Sequence, residues 1–287
     1  IPLSGFYHVG CPHHYRYAHS GETEEQFADR LADELEKVII REGPETVAAF
    51  YGEPLMGAGG VIIPPRTYWD KIQAVCRKYD ILIVADEVIC GFGRTGKMFG
   101  CESFGIKPDV MVLSKQLSSS YQPIAAVLVN DKVYEGIADQ SHALGTLGHG
   151  FTGSGHPVAS AVALENLKII EEEGLVEYAA DIGQYMQTGL EKFISHPLVG
   201  EIRSKGLIAA VELVADRETK TPFETIGKLG RHLASRAQKH GMITRAMGDS
   251  IAFCPPLIST KEEIQEMLDI FGRALDETLV WSGLGSD

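Results

Sequence analysis

The sequence predicts an α/β protein in two parts: a larger domain over residues 1–175 on a mostly parallel sheet, then a smaller α+β domain over 176–287. Three observations predict it. Helical periodicities alternate with short apolar runs through the first part of the chain. The run Ile81-Leu82-Ile83-Val84-Ala85 is apolar without alternation, the mark of a strand buried on both faces. Beyond His196-Pro197 the texture shifts to shorter strands and amphipathic helices. With 287 residues, 44% of them hydrophobic, the chain can bury the cores this arrangement needs.

The elements follow in order. Thr23-Glu24-Glu25-Gln26 is a capping box, and Phe27, Leu31, Leu35, Val38 and Ile39 then recur at helical spacing, which predicts a helix over 23–40. VAAFYGEP is a short apolar strand ending at Glu53. Gly57, Gly59, Gly60 and Pro64-Pro65 mark a loop ahead of a helix over 68–79. Strands at 81–85, 110–113 and 124–129 share one apolar style. A helix over 157–173 carries Val162, Leu164, Leu167 and Ile170 and stops at Gly174; another spans 176–194. Strands at 207–214 and 251–254 lead to a last helix. It opens with the capping box Thr260-Lys261-Glu262-Glu263 and sets Ile264, Met267, Leu268, Phe271, Leu275 and Leu279 on one stripe.

Composition removes several function classes. The 26 basic and 39 acidic residues give a net charge of −13, a field that opposes a broad phosphate-backbone surface, so no nucleic-acid partner is expected. No run of 18 apolar residues exists, and IPLSGFYHVG lacks the parts of a secretory signal, so the expectation is a cytoplasmic protein without membrane contact. The five cysteines, Cys11, Cys76, Cys90, Cys101 and Cys254, are odd in number and never spaced CxxC, which predicts reduced thiols used for packing. CPHHYRYAH gathers Cys11, His13, His14 and His19 but has no second half of a ligand set, so no metal is expected. The opening on Ile1, inside a loop-like segment, suggests a fragment.

The stretch LIVADEVICGFGRTG holds the main signal. Its glycines 91, 93 and 96 spell the pattern of a dinucleotide-binding loop, which needs a helix after the third glycine and an acid roughly 20 residues further on. Here the acids Asp86 and Glu87 precede the glycines, KMFGCESFGIKPD does not open a helix, and Gln116 stands at the later position. The nicotinamide reading fails on context. Asp86 instead ends a buried parallel strand, where open α/β sheets bind ligands. The next strand ends in Ser114-Lys115, and a partly desolvated lysine is a nucleophile toward aldehydes. An amine to form a Schiff base and an acid to hold a pyridine nitrogen protonated are the two protein groups that pyridoxal phosphate chemistry demands.

The segments GEPLMGAGGVIIPP, VADEVICGFGRTGKMFG, IKPDVMVLSKQLSSSYQPIAAVL, GHGFTGSGHPVASAVALENL and TRAMGDSIAFCPPL resemble, in order along the chain, the class III aminotransferases. These are pyridoxal phosphate enzymes of fold type I, and the similarity is to the omega-amino acid:pyruvate branch. The resemblance implies a transaminase moving an amino group from an omega-amino acid or amine to a keto acid, with pyruvate as acceptor. It implies that Lys115 binds pyridoxal 5′-phosphate and shuttles a proton, that Asp86 pairs with the ring nitrogen, and that Val88 packs on the ring. Thr152 would hold the phosphate of a neighbouring subunit's cofactor, making a homodimer with a shared active site. Arg245 would grip a substrate carboxylate, with Glu53 as an acid near it. The resemblance also implies an N-terminal part of the large domain that is missing here, carrying a glycine-serine phosphate turn.

Plainer readings stand beside these. Lys115 could be a solvated lysine, Asp86 a turn acid, Thr152 the start of the following helix, and Arg245 a surface arginine. An aminomutase or decarboxylase would share Lys115 and Asp86, and a non-catalytic remnant acting only as a binding protein would keep the fold. Gln116, Ser120 and Ala125 stand where many relatives carry glycine, and Gly153 where many carry tyrosine, which leaves substrate choice open.

Overall fold

The computed structural model describes residues 4–284. The chain forms two compact units interleaved in sequence. The first comprises 4–54, Pro64–Ile89 and Cys101–Leu167; the second comprises Leu55–Ile63, Cys90–Gly100 and 168–284.

The first unit begins with the single turn α1 (His14–Tyr17) and the helix α2 (Glu24–Glu42). The capping box forms: Thr23 accepts from the Gln26 amide, and the Gln26 side chain accepts from the Thr23 amide. Phe27, Leu31, Leu35 and Ile39 are buried on one face of α2, which packs against α3 (Tyr68–Lys78). Between them lies β1 (Ala49–Gly52), and after them β2 (Leu82–Asp86), the short α4 (Gly100–Phe104), β3 (Val110–Leu113), β4 (Ala126–Val129), α5 (Asp131–Leu144) and α6 (Pro157–Glu172). The sheet order is β1-β2-β3-β4.

The first three strands are parallel, with Phe50 opposite Ile83 and Ala85 opposite Met111. The fourth runs antiparallel, Leu113 facing Ala126 and Val110 facing Val129. A parallel neighbour needs a crossover, usually a helix, whereas the link from β3 to β4 holds only a 3₁₀ turn at Lys115–Leu117. Burial also departs from the expectation. In β2 buried residues alternate with half-buried ones, so the apolar run is not covered equally on both faces. The helix α5 had no clear sequence signal because it buries none of its residues; Asn130 caps it through the Val133 amide. α4 corrects the expectation of no helix after the glycine loop, although it spans one turn and begins four residues past Gly96.

The second unit contains α7 (Leu175–Glu191), β5 (Val199–Lys205), β6 (Ile208–Leu213), α8 (Lys228–Lys239), β7 (Arg245–Met247), β8 (Ser250–Phe253) and α9 (Lys261–Ser282). Its sheet runs β5-β6-β8-β7, antiparallel throughout. β5, with Glu201, Arg203 and Lys205, is too polar to read as a strand; its pairing with β6 makes it one. Phe271 of α9 meets Phe253 edge-on at 5.0 Å and Phe193 at 5.1 Å, within a core that includes Ile182, Met186, Leu190, Leu207 and Leu213. α8 packs on α9.

The glycine loop belongs to this second unit. Arg94 is enclosed there and donates from Nη1 to the carbonyls of Leu207 and Pro255, both at 2.7 Å. Gly206, at φ +56°, lies so close that a Cβ would come within 2.2 Å of the Thr95 carbonyl carbon. Glycine is required at that approach. The motif is therefore an internal clasp. Cys76, Cys90 and Cys101 pack as expected, but Cys254 is exposed, since it follows β8 as the chain leaves the sheet.

Candidate active site

The parallel register places three residues at one edge of the first sheet. Glu53 follows the end of β1, Asp86 ends β2, and Asp86 pairs with Val112, so that Ser114 and Lys115 follow the end of β3 on the same side. The carboxyl ends of parallel strands are where α/β sheets bind ligands.

Asp86 is half-buried and bonded through both oxygens. Oδ1 accepts from the Val88 amide at 3.0 Å, and Oδ2 accepts from the Tyr51 hydroxyl at 2.8 Å. Partial burial, the bond to Asp86 and the charges of Asp86 and Glu53 push the Tyr51 phenol up to about 12. Of the acid pair, Glu87 turns the other way. It is fully buried, and its Oε1 accepts from the Cys101 amide at 2.6 Å, where α4 begins. Its own amide donates to Val112 at 3.0 Å, locking β2 to β3.

Lys115 has an exposed side chain on a left-handed backbone, φ +38°, a conformation that costs a non-glycine residue of order 1 kcal/mol or more. Its surroundings hold that shape. Asn166 of α6 donates to the carbonyls of Gln116 (2.7 Å) and Leu117 (3.3 Å) and accepts from the Ser119 hydroxyl at 2.7 Å. Ser118 donates to Gln122 at 2.6 Å and Ser114 to Ile124 at 3.2 Å. Among the described residues no cation pairs with Asp86 and no acid with Lys115. A half-buried carboxylate without a cation and an amine without an acid, on adjacent strand ends, are the chemistry an aldehyde-bearing pyridine needs, so the residues present fit pyridoxal phosphate.

The remaining predicted residues are placed as follows. Val88 is half-buried beside Asp86, with its amide committed to the carboxylate. Thr152 is exposed in the turn before α6, five residues ahead of Pro157, so capping that helix is not its role. Arg245 opens β7 in the second unit, exposed, with its backbone opposite Ala252. Sequence reasoning missed Tyr51, Asn166 and Ser119. The serine run after Lys115 is the one visible hint, a cluster of short hydroxyls where the backbone needs local partners. Among the described residues no group of three or more His, Cys, Asp and Glu is placed to hold a metal, and no helix is long and apolar enough to cross a membrane.

Comparison with known proteins adds independent findings. The family model Aminotransferase class-III matches residues 4–275. Gamma aminobutyrate transaminase 3, chloroplastic, of Solanum lycopersicum is 50% identical over 278 residues, 97% of this chain and 54% of that protein. Vanillin aminotransferase of Capsicum chinense is 49% identical, over 97% of this chain and 61% of its own length. The crystal structure of the omega transaminase from Pseudomonas jessenii in complex with PMP superposes with a TM-score of 0.98 at 72% identity, covering 100% of this chain and 63% of that one. The chain thus spans between about half and two thirds of the length of these relatives.

Proposed function

The chain belongs to the class-III aminotransferase family, and from that premise we propose that it serves as the catalytic part of a transaminase. The reaction moves an amino group from an omega-amino acid or amine to a keto acid, pyruvate, with pyridoxal 5′-phosphate as cofactor. The observation that carries this reading is the pair Asp86 and Lys115, opposite charges without ionic partners on the ends of adjacent parallel strands. The names of the relatives, omega transaminase and gamma aminobutyrate transaminase, support the substrate class.

When bound, the cofactor supplies an aldehyde that condenses with amines and a ring that spreads the electron pair left by Cα–H cleavage. Asp86 would accept the ring N–H and keep that proton in place. Its carboxylate is oriented beforehand, so little reorganisation is needed. Val88 would pack against the ring. Lys115 Nζ would hold the cofactor through its aldehyde and, once released by the incoming amine, would serve as the base that takes the substrate Cα proton and returns it during the transfer. Its amine starts from a backbone locked by Asn166 and Ser119, which limits the positions from which it reaches that proton. Arg245 provides a bidentate grip for a substrate carboxylate and Glu53 the acid on the substrate side.

The same reading makes residues 1–175 the cofactor domain and 176–287 the small domain, and has Thr152 serve the phosphate in a partner copy, so that a homodimer shares its sites. A free, exposed Cys254 suits a reducing compartment, consistent with a cytoplasmic protein.

The test is to incubate the protein with pyridoxal phosphate, reduce with borohydride and map the pyridoxyl group by peptide mass spectrometry. Modification of Lys115, abolished in Lys115→Ala, is the expected result; an unmodified Lys115 in folded protein sinks the reading. Amine transfer from an omega-amino acid to pyruvate then separates a transaminase from an aminomutase or decarboxylase.

A further inference from the structure

Tyr51 lies outside every role assigned so far. It stands on β1 opposite Val84 of β2, and its hydroxyl reaches the carboxylate two residues further along that neighbouring strand. Its side chain is 56% exposed, so core packing does not dictate a tyrosine there. The charged groups acting on the phenol are Asp86 and Glu53, both acids, and with partial burial they hold its proton on far above neutrality. At working pH the hydroxyl is thus a donor with a carboxylate oxygen 2.8 Å away.

With Val88 amide on Oδ1 and Tyr51 hydroxyl on Oδ2, the Asp86 carboxylate is fixed at two points. The terminal torsion of an aspartate is broad and two-fold, so either bond alone would leave the plane free to rock. Each carboxylate oxygen keeps further acceptor capacity after these bonds. We infer that Tyr51 is a positioning residue that holds the Asp86 carboxylate in one orientation, ready to receive the N–H of a pyridine ring. The inference rests on the reading of Asp86 as the acceptor for the cofactor's ring nitrogen. An acceptor oriented before binding removes an ordering cost from the complex, and a hydrogen bond to a charged oxygen is of the stronger kind. Phenylalanine would keep the ring on the strand and remove only the donor.

The experiment is a double-mutant cycle on the whole chain. Pyridoxal 5′-phosphate is titrated into cofactor-free wild type, Y51F, D86N and Y51F/D86N, with thermal melting of each to confirm folding. Y51F is expected to raise the cofactor Kd about fivefold. In the D86N background the same substitution changes nothing, because its effect passes through Asp86. With the ring nitrogen labelled by ¹⁵N, the pH at which bound cofactor loses its ring proton differs between Y51F and wild type, a readout that a merely structural tyrosine would not move. A Y51F protein that binds as tightly as wild type overturns the inference, as does an equal loss in both backgrounds, which would make Tyr51 general support. Wild type that takes up no cofactor sinks the parent reading and this one with it; wild type that binds while Y51F matches it sinks this one alone.

Discussion

In the second unit, β6 carries Val211 and Leu213 at 0% exposure; in the first, β4 carries Val127, Leu128 and Val129 at 58, 51 and 42%. The two strands are similarly apolar in sequence. β6 is central, with β5 and β8 on its edges and a helical layer, α7, packed on its neighbour β5. β4 ends its sheet, and the helix that follows it, α5, buries none of its residues. An apolar run therefore predicts a strand but not what lies over it. The same side chain carries different energetic weight depending on its cover.

The largest effect that would break this contrast lies in the covered sheet. Phe271→Ala removes a fully buried ring set edge-on against Phe253 and Phe193, and should cost about 3–5 kcal/mol in urea unfolding, whereas Leu128→Ala on β4 should cost less than about 1 kcal/mol. Comparable losses would mean that β4 is as well covered as β6. Arg203→Met comes next. The guanidinium is 5% exposed and donates to the carbonyls of Gly60 and Val61, to Glu201 at 2.5 Å, to Glu212 at 3.0 Å and to Ser250. Removing it takes a buried charged donor from two carbonyls, two carboxylates and a hydroxyl in the covered unit and should cost about 3 kcal/mol.

In the first unit the expected sign reverses. Lys115→Gly relieves a left-handed backbone and should raise stability by about 1 kcal/mol while abolishing borohydride labelling. A melting temperature that falls would show that the lysine's φ is not strained. The smallest effect is shared by both units. Glu277 is held down to about 2 by its bond to Arg236 and then by His240, and Glu22 to about 2 chiefly by Arg30. Both lie below the unfolded value of about 4.3. Their stabilisation is full above that value and is lost as pH falls through about 2. Glu277→Gln and Glu22→Gln should each flatten acid unfolding between about pH 4.3 and 2; an unchanged curve would show the ion pair contributes nothing measurable.

Much of this was legible beforehand because its causes are local. The capping boxes at Thr23 and Thr260, the stripe of α9 and the placement of Asp86 and Lys115 at strand ends depend on residues within about one turn or one strand of each other. The rest depends on partners the chain brings together only when folded. The bond from Tyr51 to Asp86 spans 35 positions, that from Asn166 to Gln116 spans 50, and Arg94 reaches across 113 and 161 to Leu207 and Pro255. The direction of β4 and the left-handed backbone at Lys115 belong to the same class. The sequence by itself determined the long amphipathic helices and the apolar strands and set Asp86 and Lys115 at adjacent strand ends, because periodicity and capping act over a few residues. Tertiary structure alone decided how the carboxylate is held, how the lysine is strained and where the glycine loop is clasped. Those are properties of hydrogen bonds between residues far apart in sequence, and their partners are set by register and packing rather than by spacing along the chain.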